Sequence, residues 1–220
     1  MGISDDGISH IAGLTKLQLL GISSSRITDH GLRYLENLIN LEILNLADND
    51  ITGVGLKHLS AMSKLKRLRI NGTKVGDDRI EVLNELTGLE FLEADRTGIT
   101  DEGMQIINPL LSRLKLLSLN RTGITDISSR FISGSPRLKE LFLNETGFTD
   151  KGVAALDDLP QIEELGLSYL PITDSSVSKL SRFVTLRRLY VEYTVVSNPC
   201  KKRLMRDLPE LVVLPRPRGD

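Results

Sequence analysis

The sequence predicts an α/β fold in which short strands and helices alternate along a stack of similar repeats. The stretch "RTGITDEGMQII" at 96–107 returns as "RTGIT" at 121–125 and "ETGFTDKGVAAL" at 145–156, a spacing of 24 to 25 residues. Each copy combines the two-residue alternation of a strand with the spacing of a helix. A repeat length of about 20 to 50 residues is typical of solenoid folds. An aspartate recurs at the junction of the two patterns.

The predicted strand opens each repeat. Counted from the first residue of an LxxLxL motif, repeats start at Leu17, Leu41, Leu65, Leu89, Leu114, Leu138, Ile162, Leu186 and Leu211. The spacing is 24 residues, except for 25 in the repeats that start at Leu89 and Leu186. Positions 4 and 6 are apolar, as in Leu44 and Leu46. This alternation predicts a strand with one buried face.

The second half of each repeat is predicted to be a helix, because apolar residues at positions 16, 19 and 22 share one helical face. An aspartate at position 13 is expected to cap that helix by accepting from its free N–H groups. The copies are Asp29, Asp77, Asp101, Asp126, Asp150 and Asp174. A metal-binding ladder is the alternative, but capping accounts for every copy. Ser129 and Ser135 replace apolar residues in the repeat from 114, which predicts an irregular turn there.

The same frame predicts the limits of the domain. The chain opens with a half repeat, residues 1–16, which aligns with positions 10–24 and lacks a strand. We therefore expect further sequence upstream, with self-association through this end as the alternative. Full repeats are predicted from residue 17, with a closing strand at 211–214 in which Leu214 holds position 4. Residues 1–214 are predicted to form a single domain, and 215–220 a disordered tail.

The consensus LxxLxLxx(T/N)xITDxGLxxLxxLxx resembles the leucine-rich repeat family over essentially the whole chain. "ITDxGLxxL" is similar to the cysteine-containing class of F-box-associated proteins and to bacterial repeat proteins. The resemblance implies a horseshoe with a parallel sheet on the concave face and helices on the convex face. Physical spacing agrees, since strands stack at about 4.8 Å and helices at about 8–10 Å. The chain departs from the cysteine class at position 9.

Position 9 holds a hydroxyl or amide where the cysteine class has a thiol. We expect this group to form a hydrogen bond with the backbone of a neighbouring loop. The residues are Ser25, Asn49, Thr73, Thr97, Thr122, Thr146 and Thr194.

Composition and charge exclude several classes of function. A net charge of -1 over 220 residues does not fit the strongly basic face of a nucleic-acid-binding protein. No run of 18 apolar residues is present, so no membrane span is expected. The polar N-terminus does not resemble a signal peptide, which predicts a cytoplasmic protein. The histidines lie on the predicted helical side and Cys200 has no recognisable catalytic context, so we predict no enzyme, cofactor or metal site.

Aromatic residues mark the first candidate partner-binding site. Five of the nine aromatic residues fall on positions that face the concave surface. They are Phe91, Phe142, Tyr169, Tyr190 and Tyr193. Together with Arg188 they have the composition of an interface hot spot. Gly166, between Phe142 and Tyr190 in the stack, is expected to leave a dip flanked by two rings. The alternative is that strand surfaces favour aromatic residues in any case.

A second candidate site is a cluster of arginines on neighbouring strands, formed by Arg67, Arg69, Arg96 and Arg121. Arginines so placed could bind a carboxylate or a phosphate. Glu93 and Asp95 lie among them, however, and cross-strand ion pairing on a solvated face is the alternative that we favour.

The sequence therefore predicts a non-enzymatic protein–protein interaction module that binds a protein or peptide on its concave face. Two alternatives remain. One is the substrate-recognition part of a ubiquitin ligase or other multidomain protein whose remaining domains are absent. The other is a structural repeat array. We expect a monomer.

Overall fold

A computed structural model describes residues 2–157 and 159–214, and the tail predicted at 215–220 lies outside them. Within these ranges nine strands form one open parallel sheet in chain order. The strands are β1 Leu19–Gly21, β2 Ile43–Asn45, β3 Arg67–Arg69, β4 Phe91–Glu93, β5 Leu116–Ser118, β6 Glu140–Phe142, β7 Glu164–Gly166, β8 Arg188–Tyr190 and β9 Val212–Leu214. Each strand therefore pairs with the same element of the next repeat.

Short helices return the chain from one strand to the next. The α-helices are α1 Asp5–Ser9, α2 Asp29–Leu32, α3 Gly53–Leu56, α4 Asp101–Ile106, α5 Asn108–Leu111, α6 Ser129–Ile132, α7 Asp150–Ala155, α8 Val177–Leu180 and α9 Asn198–Asp207. 3₁₀ turns cover Arg33–Leu35, Lys57–Leu59, Ile80–Asn84, Asp126–Ser128 and Asp174–Ser176. Across the part of the chain that the structure describes, no helix is long and apolar enough to cross a membrane.

The core lies between the sheet and the helices and runs the length of the stack. Position 4 points into it from every strand, and Leu44, Leu68 and Leu92 are fully buried. Burying a leucine side chain contributes roughly 1.5–3 kcal/mol, so each repeat is stabilised mainly by its neighbours. The predicted α/β leucine-rich repeat horseshoe, with its sheet concave and its helices convex, is confirmed.

The aspartates at position 13 do not cap their own helices as we expected. The N-cap is the threonine at position 12: the hydroxyl of Thr28 accepts from the N–H of His30. The Asp5 carboxylate instead accepts from the N–H and the hydroxyl of Thr28, one repeat on, at 2.9 and 2.6 Å. We call this pair of bonds a latch, because it joins consecutive repeats. The helix-start threonine supplies a free N–H there.

Latches recur along most of the stack. The further pairs are Asp29–Thr52, Asp77–Thr100, Asp101–Thr125, Asp126–Thr149, Asp150–Thr173 and Asp174–Ser197. One junction lacks a latch, because Gly53 and Gly76 occupy the two positions. A Cβ on Gly53 would lie 1.8 Å from the carbonyl oxygen of Asp78, so this close approach requires glycine.

The register of β9 corrects one sequence prediction. Leu189 at position 4 of β8 pairs with Val213, not with Leu214. Leu211 is buried but lies just before the strand. Leu165 pairs with Leu189, and Leu189 pairs with Val213, so equivalent residues lie 24 positions apart at both junctions. The last repeat is therefore 24 residues long by strand register. Leu211 and Leu214 have the "LxxL" spacing of the motif, but they lie one residue after the positions that the strand pairing assigns to it.

Position 9 follows our expectation at Asn49, whose Nδ2 donates to the Ile22 carbonyl of the preceding repeat at 2.8 Å, and at Ser25, whose hydroxyl accepts from the Ile3 N–H at 3.3 Å. The threonines bond within their own repeat: Thr97 Oγ1, for example, donates to the Ala94 carbonyl at 2.7 Å. The irregular turn predicted near 129 is a 3₁₀ segment followed by α6, in which the Ser129 hydroxyl donates to two backbone carbonyls.

Candidate functional site

Tyr169 and Tyr193 form an exposed stacked pair on the rim of the concave face. They hold position 8 in adjacent repeats, and their ring centroids lie 4.5 Å apart with 20° between the ring planes. The residues are 43% and 69% exposed. Two large rings held against each other in solvent offer contact area at a small cost in side-chain entropy.

The backbone of the repeat aims this pair outward. Position 8 adopts the left-handed conformation along the stack, with φ of 60° at Tyr169 and 52° at Tyr193. Arg96, Arg121 and Glu145 have the same conformation at the equivalent position. Left-handed backbone costs a non-glycine residue of order 1 kcal/mol, and the repeat imposes it whatever the side chain. The choice of tyrosine at two such positions is therefore not dictated by backbone conformation.

The expectation of exposed rings around a dip at Gly166 is wrong. Tyr190 is only 5% exposed, and Phe142 is half-buried. Their ring centroids lie 6.2 Å apart. A Cβ on Gly166 would lie 2.7 Å from Cδ1 of Phe142, so the Phe142 ring lies over the glycine and fills the space. This part of the predicted site is closed packing on the floor of the concave face.

Tyr190 and Arg188 share one carboxylate. The Tyr190 hydroxyl donates to Oε1 of Glu164 at 2.7 Å, and Nε of Arg188 donates to Oε2 at 2.7 Å. Glu164 is 7% exposed, so its charge is matched by these two donors in place of water. Burial and the bond to Glu164 raise the pKa of Tyr190 to about 12. Arg188 remains exposed on its outer side and can still reach a partner.

Phe91 lies apart from the tyrosine pair, on β4. Its ring is half-buried, with the Arg67 guanidinium 4.2 Å from the ring centroid and Lys115 Nζ 5.9 Å from it. The structure therefore separates the predicted aromatic site into three parts, which are the stacked pair, the Phe142–Tyr190 floor and Phe91. Of these three parts, the stacked pair is the most exposed.

Every arginine of the cluster forms an ion pair with a carboxylate within the chain. Arg67 and Arg69 both donate to Oε1 of Glu93, each at 2.8 Å. Arg96 pairs with Asp48 at 3.0 Å, and Arg121 with Glu145 at 2.8 Å. This is the cross-strand ion pairing that we favoured. Each of the four arginines thus already has a carboxylate partner where a phosphate would have to bind.

Two glutamates of the concave floor escaped sequence reasoning. Glu140 and Glu164 are directly paired neighbours on β6 and β7. Their adjacency could have been predicted, because both hold position 3 in consecutive repeats. Charged residues on a strand surface ordinarily indicate a solvated face, however, so the sequence offers no reason to single them out. Within residues 2–157 and 159–214, no group of three or more His, Cys, Asp or Glu residues could hold a metal ion.

A family model described as "Leucine rich repeat" matches residues 5–75. The solved structure of internalin C2 from Listeria monocytogenes aligns at 23% identity and a TM-score of 0.74, over 96% of this chain and 92% of that one. A leucine-rich repeat protein of Leptospira interrogans aligns at 18% identity and a TM-score of 0.56, over 94% of this chain.

The chain spans 62% of the Leptospira protein's length. No curated protein sequence matches the chain. At these identities the two solved structures show the fold alone. Together with the repeat and the family match over residues 5–75, they support a leucine-rich repeat protein.

Proposed function

We propose that the protein is a non-enzymatic interaction module that binds a protein partner on its concave face, with the Tyr169–Tyr193 pair as the main contact. The observation that carries the proposal is the exposed, stacked geometry of this pair. Tyrosine is enriched among residues that dominate binding energy.

The proposal fits what leucine-rich repeat proteins commonly do, which is to mediate protein–protein interaction. The parallel sheet leaves one face to solvent here, and a stable complex typically buries roughly 800 Å² of each partner. Arg188 extends the contact surface beside the tyrosines, because its outer side is exposed.

The experiment compares capture of partners from a native lysate by the wild type and by the Tyr169→Ala/Tyr193→Ala double variant. The captured protein is then purified and its affinity measured by calorimetry. Removing both rings is expected to weaken binding by at least about 30-fold, which is the loss of about 2 kcal/mol that one hot-spot residue alone would cause. Tyr190 is left intact, because it is buried and its loss would disturb packing.

Tyr34→Ala is the matched control. Tyr34 lies in the 3₁₀ turn Arg33–Leu35 on the convex side and is half-buried. Its removal should leave binding unchanged, and circular dichroism verifies that all variants are folded. Equal affinity of the double variant and the wild type would move the contact to the arginine cluster or to the convex side.

A cytoplasmic location and a monomeric state belong to this proposal, with self-association through the N-terminal end as the alternative. Cell fractionation and light scattering test them. The role as the substrate-recognition part of a ubiquitin ligase rests on the resemblance of the repeat motif. An F-box-like helical segment encoded upstream would support it, and a long upstream array of repeats would support the structural alternative.

A further inference from the structure

Among the described residues, the carboxylates on the strands of the concave face have ionic partners, with one exception. Carboxylates at strand positions 2, 3 and 5 have ionic partners within the chain, in the pairs Glu42–Lys66, Glu90–Lys115, Glu93–Arg67, Glu163–Lys139 and Glu164–Arg188. Glu140, in the middle of the face, is the exception. Among the described residues, no donor forms a hydrogen bond or ion pair with its carboxylate.

Glu140 is half-buried, so water solvates its carboxylate incompletely. On one side its neighbour in the sheet is Leu116, which is 7% exposed. On the other side is Glu164, whose charge is already matched by Arg188 and Tyr190. Phe142 follows on the same strand and the same face. Burial, and then the Glu164 carboxylate, raise the pKa of Glu140, and the weaker attraction of the Arg188 and Arg67 guanidinium groups does not offset them.

An isolated, partly desolvated carboxylate lowers the stability of the free protein. A cation that approached from the open side of the sheet would restore the missing hydrogen bonds. Arginine suits the surroundings best, because its planar fork binds a carboxylate through two bonds and its face packs against aromatic rings such as Phe142. The floor beside it is apolar at Leu116, so a neighbouring apolar side chain of the partner has a place to pack.

The position of the charge also sets the orientation of the partner. Two arginines on β3, Arg67 and Arg69, share the single carboxylate of Glu93, so positive charge is in excess there. A basic group is therefore repelled over β3 and attracted over β6. We infer that Glu140 is the recognition residue for an arginine side chain of the protein partner, seated on the concave floor between Leu116 and Phe142. This inference rests on the proposed function and names the chemistry of its partner.

The test uses a displayed library of random short peptides, selected on the full chain. We expect enriched peptides to share an arginine beside an apolar residue. Calorimetry then measures one enriched peptide against the wild type and Glu140→Gln, and repeats both with the arginine replaced by neutral citrulline. Each single change should weaken binding about tenfold or more, the size of a charge-assisted hydrogen bond. The citrulline change should add little in Glu140→Gln, because the same contact is already lost.

Glu42→Gln is the matched control, since it removes an equal charge from the same face four strands away. It should leave the affinity within about twofold, because exposed charges at this distance are screened. Thermal unfolding checks that Glu140→Gln is at least as stable as the wild type, so lost binding cannot be lost folding.

The inference would be overturned if the enriched peptides lost binding to Tyr169→Ala/Tyr193→Ala but showed no preference for a basic residue. It would also be overturned if those peptides bound Glu140→Gln as tightly as the wild type. In both cases the proposed function would stand. Enrichment of no peptide, or of peptides indifferent to both sets of variants, would overturn both.

Discussion

Replacing Asp101 with alanine removes a latch with three bonds between repeats, a number that Asp150 also receives. Its carboxylate accepts from the N–H of Thr125 at 2.9 Å, from the Thr125 hydroxyl at 2.6 Å and from the Ser128 hydroxyl at 2.5 Å. Ser128 is fully buried, so its hydroxyl cannot turn to water once the carboxylate is gone. Burial alone would raise the pKa of Asp101, but the bonds from Ser128 and Thr125 outweigh it and lower that pKa.

The expected cost follows from these three bonds. A hydrogen bond to a charged group contributes about 1.5–3 kcal/mol, and a stranded buried donor costs about 1–3 kcal/mol. Because the carboxylate is only half-buried, we take the low end and expect Asp101→Ala to reduce the free energy of unfolding by about 3 kcal/mol. Asp126→Ala should cost less, about 2 kcal/mol, because Asp126 receives only the two bonds of Thr149 and faces Gly152 where Asp101 faces Ser128.

Urea unfolding followed by circular dichroism at neutral pH measures these differences. Glu102→Ala is the control, since Glu102 is an exposed neighbour in α4 and its removal should change stability by under about 0.5 kcal/mol. The pKa of Asp101 is lower in the folded protein than in the unfolded chain, where it is about 3.9. The latch therefore stabilises the fold fully above about pH 3.9, and this stabilisation is lost as the pH falls through the pKa of the folded state. The gap between wild type and Asp101→Ala should therefore shrink below about pH 4. A cost equal to that of Glu102→Ala would refute the latch.

Three further changes test other parts of the account. Gly53→Ala should destabilise by at least about 2 kcal/mol in thermal unfolding, because its Cβ would meet the Asp78 carbonyl at 1.8 Å; a neutral result would contradict that packing. Tyr190→Phe should cost about 1 kcal/mol through the lost bond to Glu164. The extra stability that the bond gives the wild type is fully present below the ordinary tyrosine pKa, and it should disappear as the pH rises toward about 12. A difference in stability that does not change with pH would argue against the bond. Glu140→Leu should raise the melting temperature, since it replaces a poorly solvated carboxylate on an apolar floor; a lower one would show that Glu140 is stabilised by the chain.

The fold was predictable because its determinants are periodic. Leucines at position 4 recur every 24 or 25 residues, and the sheet pairs them in register, as Leu44 with Leu68. The periodicity does not predict whether a side chain contacts its own repeat or the next one. Asp29 is close in sequence to the start of its own helix, yet its carboxylate bonds to Thr52 in the next repeat. The β9 register failed for a related reason, since "LxxL" fits two frames and the backbone pairing decides between them.

The candidate site was predictable only as a set of positions. Sequence spacing placed Tyr169 and Tyr193 at the same position of adjacent repeats, and the structure brings their rings together. The same reasoning could not foresee that Tyr190 is buried, because the bond to Glu164 and the contact with Phe142 depend on side-chain conformation. Glu140 was missed because an unmatched charge is visible only when the partners of its neighbours are known.

The most direct test of concave-face binding is the ratio of Kd values for one purified, captured partner, measured against the wild type and Tyr169→Ala/Tyr193→Ala. The account predicts a ratio of at least about 30, with Tyr34→Ala indistinguishable from the wild type. Equal Kd values for all three proteins, each folded by circular dichroism, would contradict the claim that the stacked tyrosines are the main contact.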